Sequence, residues 1–232
     1  MEYATLGHSL HDLLHLSIAP IAISFRERAP EGVDRIPKAE ASGCAYWKLA
    51  GHGSVFYTEA SDHYNCTIGA YTHNVDLPED KSRELEAMVD TMVQLEYISM
   101  NEVQGLPRRT ETFGVAVYSP LEKAPCDPAV VIVRGNAKQI MLVAEAARAV
   151  GIGDQGAAMG RPACAMIPHA MQVSHGITSL GCIGNRVYTE LADDDLYFVI
   201  PGGKLEEVVG KLNAIVHANQ QLEAMHRERC AS

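Results

Sequence analysis

Four cysteines constrain this chain more than any other feature. They stand in short settings of small residues: Ser42-Gly43-Cys44-Ala45, Asn65-Cys66-Thr67-Ile68-Gly69, Pro162-Ala163-Cys164-Ala165 and Leu180-Gly181-Cys182-Ile183-Gly184. Small neighbours let a metal, a cofactor or another backbone come close to a sulfur. Two of these thiols lie in the first third of the chain and two lie beyond residue 160. A fold that uses them together must bring distant loops face to face, and the pocket between them is then the functional site.

The rest of the composition allows this. At 232 residues, 47% hydrophobic and 21% charged, the chain can build a core in one domain. A net charge of −10 argues against a nucleic-acid partner, which needs basic surface, and against an anionic membrane. No apolar run approaches the roughly 20 residues that span a bilayer. No basic stretch followed by an apolar one opens the sequence, so a cytoplasmic protein is expected. In that compartment the six cysteines are expected to be free, metal-bound or catalytic rather than in structural disulfides.

The sequence predicts helices over 5–16, 79–98, 137–150 and 205–228, a short one over 44–50 that Ser42-Gly43 can cap, and strands over 21–25, 54–58, 113–118, 129–133 and 195–200. Prolines punctuate 27–40 and 118–128 as loops, and the glycine-rich run 151–160 is expected to move or to wrap a ligand. The order implies a mixed α+β fold in a single domain, 1–232. A weak internal echo divides it into halves of roughly 1–110 and 111–232. In each half a strand leads to a pair of cysteines, so that cysteine-bearing loops face each other. The Met-rich 79–100 segment and the amphipathic 205–228 helix could support a homo-oligomer such as a dimer.

The thiols have no CxxC spacing, which disfavours a zinc ribbon, and ferredoxin-type runs are absent. Four scattered cysteines can still ligate a [4Fe–4S] cluster or a mononuclear metal. Cys126 and Cys230 look incidental. His63, in Asp62-His63-Tyr64-Asn65-Cys66, is a candidate ligand, acid–base group or donor to sulfur. Tyr71 could wall a cofactor, and Arg186 could meet a carboxylate or phosphate. No dinucleotide fingerprint, phosphate loop, serine-nucleophile elbow or HExxH is present.

Nearly the whole chain resembles the domain of unknown function 169 family. The resemblance rests on Pro20-Ile21-Ala22-Ile23, Asp62-His63-Tyr64-Asn65-Cys66, Gly69-Ala70-Tyr71, Ala163-Cys164-Ala165, Ser179-Leu180-Gly181-Cys182-Ile183-Gly184-Asn185-Arg186 and Asp194–Pro201. Similar chains carry cysteines matching Cys44, Cys66, Cys164 and Cys182, and a serine is common where Asn185 stands. The family brings no activity with it.

The leading expectation is an iron–sulfur protein with Cys44, Cys66, Cys164 and Cys182 as ligands. It would transfer electrons to a redox partner protein or act on a small molecule. A rival is a metal-free thiol enzyme with His63 as base and Arg186 on an anionic substrate. Another is a haem-binding module with His63 or a cysteine as axial ligand, and the plainest is that the four thiols are core filler.

Overall fold

The computed structural model describes residues 2–154 and 159–231; Gln155–Ala158, inside the glycine-rich run, lie outside the described residues. Six strands form one antiparallel sheet: β1 (Ile21–Arg26), β2 (Phe56–Glu59), β3 (Val115–Pro120), β4 (Val130–Asn136), β5 (Ile177–Ser179) and β6 (Asp195–Pro201), in the order β2-β3-β1-β4-β6-β5. Helices among the described residues are α1 (Tyr3–Leu14), α2 (Ala45–Gly51), α3 (Thr67–Thr72), α4 (Glu79–Gln94), α5 (Met100–Gln104), α6 (Ala137–Ala149), α7 (Met166–Val173), α8 (Ile183–Thr189) and α9 (Leu205–Ala231). The fold is mixed α+β, as the element order implies.

Alternation along the strands sends side chains to two cores. Ala22, Val131, Val133, Phe198 and Ile200 face α1, α6 and α9. Ile21, Ile23, Tyr118, Val130, Ile132, Tyr197 and Val199 face Tyr46 and Trp47 of α2 and Met166 and Ile167 of α7. With both faces covered, the central strands read as continuous apolar runs: β3 is buried throughout. On the first face, Leu6, Leu10 and Leu14 recur every four residues along α1. Asn136 caps α6 by accepting from the Gln139 amide at 3.1 Å, while the Gln139 side chain accepts from the Asn136 amide at 2.8 Å.

The internal echo has a topological counterpart. In β1-β3-β2 the first strand is central, the second is at the edge and the third lies between them; β4-β6-β5 repeats that order. The registers repeat too. Ile21 pairs with Pro120 as Val130 pairs with Pro201, and Phe56 pairs with Tyr118 as Ile177 pairs with Val199. Where the trios meet, Ala22 pairs with Val131, flanked by Ile21–Ile132 and Ile23–Val130, as a two-fold through that pair requires. Topology therefore divides the sheet between β3 and β4, later than the 110/111 boundary read from the sequence.

Several elements differ from expectation. The 79–98 helix stops at Gln94, because Glu96 takes a left-handed φ of 54°, and α5 begins behind its own Ser99–Glu102 capping box. No residue of α4 is buried despite its apolar stripe. The short elements α3, α7, α8 and β5 carry too few turns to show a period in sequence.

Candidate functional site

Three of the four cysteines occupy the same local position. Cys44 precedes the first residue of α2, Cys66 that of α3 and Cys182 that of α8. Cys164 sits in the short 3-10 turn Ala163–Ala165 that runs into α7. Each half of the sheet supplies two of them. The first stands ahead of the helix that leads to the edge strand, and the second stands just beyond that strand. All four open on the same face of the sheet, into one cavity of about 360 Å³.

Glycines clear the space. A Cβ on Gly69 would stand 2.8 Å from the Cys66 sulfur. Gly181 has a φ of 70°, and a Cβ there would meet Asn185 Oδ1 at 2.9 Å and Leu191 at 2.8 Å. A side chain at either position would push a cavity-lining group out of place.

Hydroxyls hold the sulfurs. Ser42 Oγ is 3.2 Å from Cys44 Sγ and 3.5 Å from Cys66 Sγ. Thr72 Oγ1, from α3, lies 3.3 Å from Cys164 Sγ and so crosses from one half to the other. Burial pushes the Cys44 thiol up to about 11, with the Cys66 and Cys182 sulfurs adding to the rise. Burial also raises Cys164 well above the usual thiol range, helped by the Cys66, Cys182 and Cys44 sulfurs. The Cys44 and Cys164 thiols thus lie close enough to the other sulfurs for these to oppose their ionisation. Among the described residues, however, no three His, Cys, Asp or Glu side chains gather closely enough to hold one metal ion.

His63 lines the cavity and is buried. Its Nε2 lies 2.8 Å from Thr58 Oγ1, and burial lowers its pKa to about 3, with the charge of His73 adding to the fall. His73 also lines the cavity, with Nδ1 2.9 Å from the Gly69 carbonyl oxygen, and burial lowers it to about 4. Sequence reasoning missed His73; its place one turn beyond Gly69 was the available signal.

Two other candidates lie outside the cavity lining. Tyr71 stacks under the guanidinium of Arg108, whose carbon is 4.7 Å from the ring centre. Arg186 donates to the backbone oxygens of Leu180, Ala192 and Asp195 at 2.6, 2.8 and 3.3 Å. It braces the loop that carries Cys182 and is already engaged on three carbonyls. Lys48 turns to Glu190 at 2.6 Å rather than toward Cys44. Cys126 and Cys230 are not part of the lining.

Asn185 was passed over as a site residue and is the least ordinary group present. It is 1% exposed and lines the cavity, yet neither its Oδ1 nor its Nδ2 has a hydrogen-bond partner. Beside this chamber lies an apolar one of about 260 Å³, walled by Met88, Val89 and Met92 of α4, Val103 of α5 and Ile183 of α8. Ile68, Met88, Pro162, Cys182 and Gly184 belong to both walls. At its edge Arg161 pairs with Glu102 at 3.2 Å and lies over the Tyr97 ring.

No curated protein and no solved structure matches this chain. The family model of domain of unknown function 169, described as uncharacterised ArCR, matches residues 9–211, which hold the whole sheet and all four cavity cysteines. The chain belongs to that family.

Proposed function

We propose that this protein holds an iron–sulfur cluster on Cys44, Cys66, Cys164 and Cys182 and uses it for redox chemistry on a small molecule. The observation that carries the reading is the delivery of two cysteines from each half of the sheet to one cavity. A single zinc ion, with Zn–S near 2.3 Å, needs sulfurs about 3.7 Å apart. No such group of three exists among the described residues, while a cavity of about 360 Å³ has room for a multi-atom group. The buried Cys44 and Cys164 thiols, which resist ionisation, need a strong positive charge beside them, which iron supplies when the protons leave.

The rivals fit less well. A nucleophilic thiol needs a lowered pKa, whereas burial raises Cys44 and Cys164. The anion site of the thiol-enzyme reading loses its cation, since Arg186 is spent on backbone carbonyls. Core filler would close up to native density and would not leave a buried amide unpaired beside it. The haem reading is weakened at its axial imidazole, since His63 Nε2 lies 2.8 Å from Thr58 Oγ1. The adjoining apolar chamber favours a small molecule of low polarity as the redox substrate, seated against Cys182.

A second reading, electron transfer to a partner protein, draws on exposed apolar residues of α8, where Ile183 and Val187 are 68% and 66% exposed. Among the described residues no helix is long and apolar enough to cross a membrane. A cytoplasmic setting, which keeps thiols reduced, belongs to the same proposal.

Anaerobic purification followed by visible spectroscopy and iron and sulfide analysis tests the cluster. Serine at any of the four positions is expected to lower iron content severely, and Cys126→Ser and Cys230→Ser are expected to leave it unchanged. A colourless, iron-free wild-type protein sinks the reading.

A further inference from the structure

We propose that Asn185 is a positioning residue that donates an amide N–H to the sulfur-rich group in the cavity, next to Cys44, and thereby sets how easily that group is reduced. The inference rests on the cluster reading. Its starting point is the unpartnered amide. Burying an amide without a partner is costly, so an unpaired buried group calls for an explanation. Asn185 is 1% exposed, and both amide heteroatoms lack a partner. The amide lies against the Cys44 sulfur and the Tyr197 hydroxyl, close enough to favour the ionised form of each, but neither amide atom meets the full distance and angle of a hydrogen bond. Tyr197 is instead engaged with Thr189 Oγ1 at 3.1 Å.

The other half offers a comparison, although from a different helical position: Thr72 is six residues past Cys66 and Asn185 three past Cys182. In the first half, Thr72 on α3 reaches across to Cys164 of the second half at 3.3 Å. In the second half, Asn185 on α8 lies beside Cys44 of the first. Each half therefore directs one polar side chain, from the helix begun by its own second cysteine, toward the first cysteine of the other. Thr72 has its sulfur contact, whereas the Asn185 amide is unpaired. Gly181 keeps that amide in place, because any Cβ there would collide with Oδ1.

The chemistry follows from charge. Adding an electron makes the sulfurs of a cluster more negative, so an N–H aimed at them stabilises the reduced form more than the oxidised one. Removing it should lower the reduction potential.

The test compares wild type with Asn185→Leu, which keeps the shape and removes the amide. Two measurements are made: thermal unfolding of the iron-free proteins, and redox titration of the reconstituted ones. Iron-free Asn185→Leu is expected to unfold at or above the wild-type temperature, since it no longer buries an unpaired amide. Reconstituted Asn185→Leu is expected to be about tenfold harder to reduce, or about 59 mV for one electron. Asn185→Ser, which restores a donor, should recover part of the difference. A loss of several degrees in the iron-free variant makes the amide structural and overturns the proposal. An iron-loaded variant with the wild-type potential also overturns it and leaves the cluster standing. A wild-type protein that takes up no iron overturns both.

Discussion

Each of the two cavity histidines is held neutral by its surroundings, and that has a cost in acid. Burial lowers His63 to about 3 and His73 to about 4, against an ordinary value of 6.5. Between those values the unfolded chain binds a proton at each position that the folded chain does not. Stability is therefore fully present above pH 6.5 and is lost as pH falls toward 4 and then 3. Urea unfolding of the iron-free protein at pH 7 and pH 5 should show a loss of roughly 2 kcal/mol per histidine, with His73→Gln flattening the slope. A profile flat between these values, in the wild type, would contradict the burial of both rings. At this scale the thiols were legible in the sequence because their neighbours are small, and Gly69 and Gly181 show why: each clears a place that a Cβ would fill. Arg186 and Tyr71 misled because charge and aromaticity say nothing of direction. One side chain braces a loop and the other stacks under Arg108.

Two of the elements that carry the cysteines were the hardest to read, and for one reason. The α2 helix was expected over 44–50, but α3 and α8 run only 6 and 7 residues, too short for apolar spacing to mark a face. Their place is set by the sheet edges they follow rather than by their own propensity. At α4 a clear stripe of Leu85, Met88, Val89 and Met92 was legible, and the sequence offered it as support for a homo-oligomer. Met88, Val89 and Met92 of that stripe line the apolar chamber, and no residue of the helix is buried. Substitution there should consequently separate stability from binding. Met88→Glu is expected to leave the melting temperature within a few degrees, as half-exposed positions do. It is also expected to abolish saturable fluorescence enhancement of the neutral probe N-phenyl-1-naphthylamine, because it places a charge against the apolar wall. Leu95→Glu, at a residue 72% exposed and outside the chamber lining, should leave probe binding unchanged. Equal binding by Met88→Glu and wild type would show that the chamber does not take apolar ligands.

Across the whole molecule, the site lies where two similar halves meet. The halves join through the short antiparallel pairing centred on Ala22 and Val131, and through the cores on either side of the sheet. A group bound by two cysteines from each half would tie them together a second time. Cluster binding is then also folding free energy, since the unfolded chain cannot present the four sulfurs at once. A binding contribution of about 4 kcal/mol, reached at roughly a thousandfold excess over Kd, corresponds to a rise of roughly 8–16 °C in Tm for a chain of this size. Reconstituted wild type is expected to show a rise of that order over the iron-free protein by anaerobic calorimetry. Serine at one cysteine of either half should remove most of it. Because the ligands act as one unit, Cys66→Ser combined with Cys182→Ser should remove little more than either alone. Strictly additive losses would mean that the sulfurs stabilise the chain as separate core groups, and the bridging role of the cavity would fall.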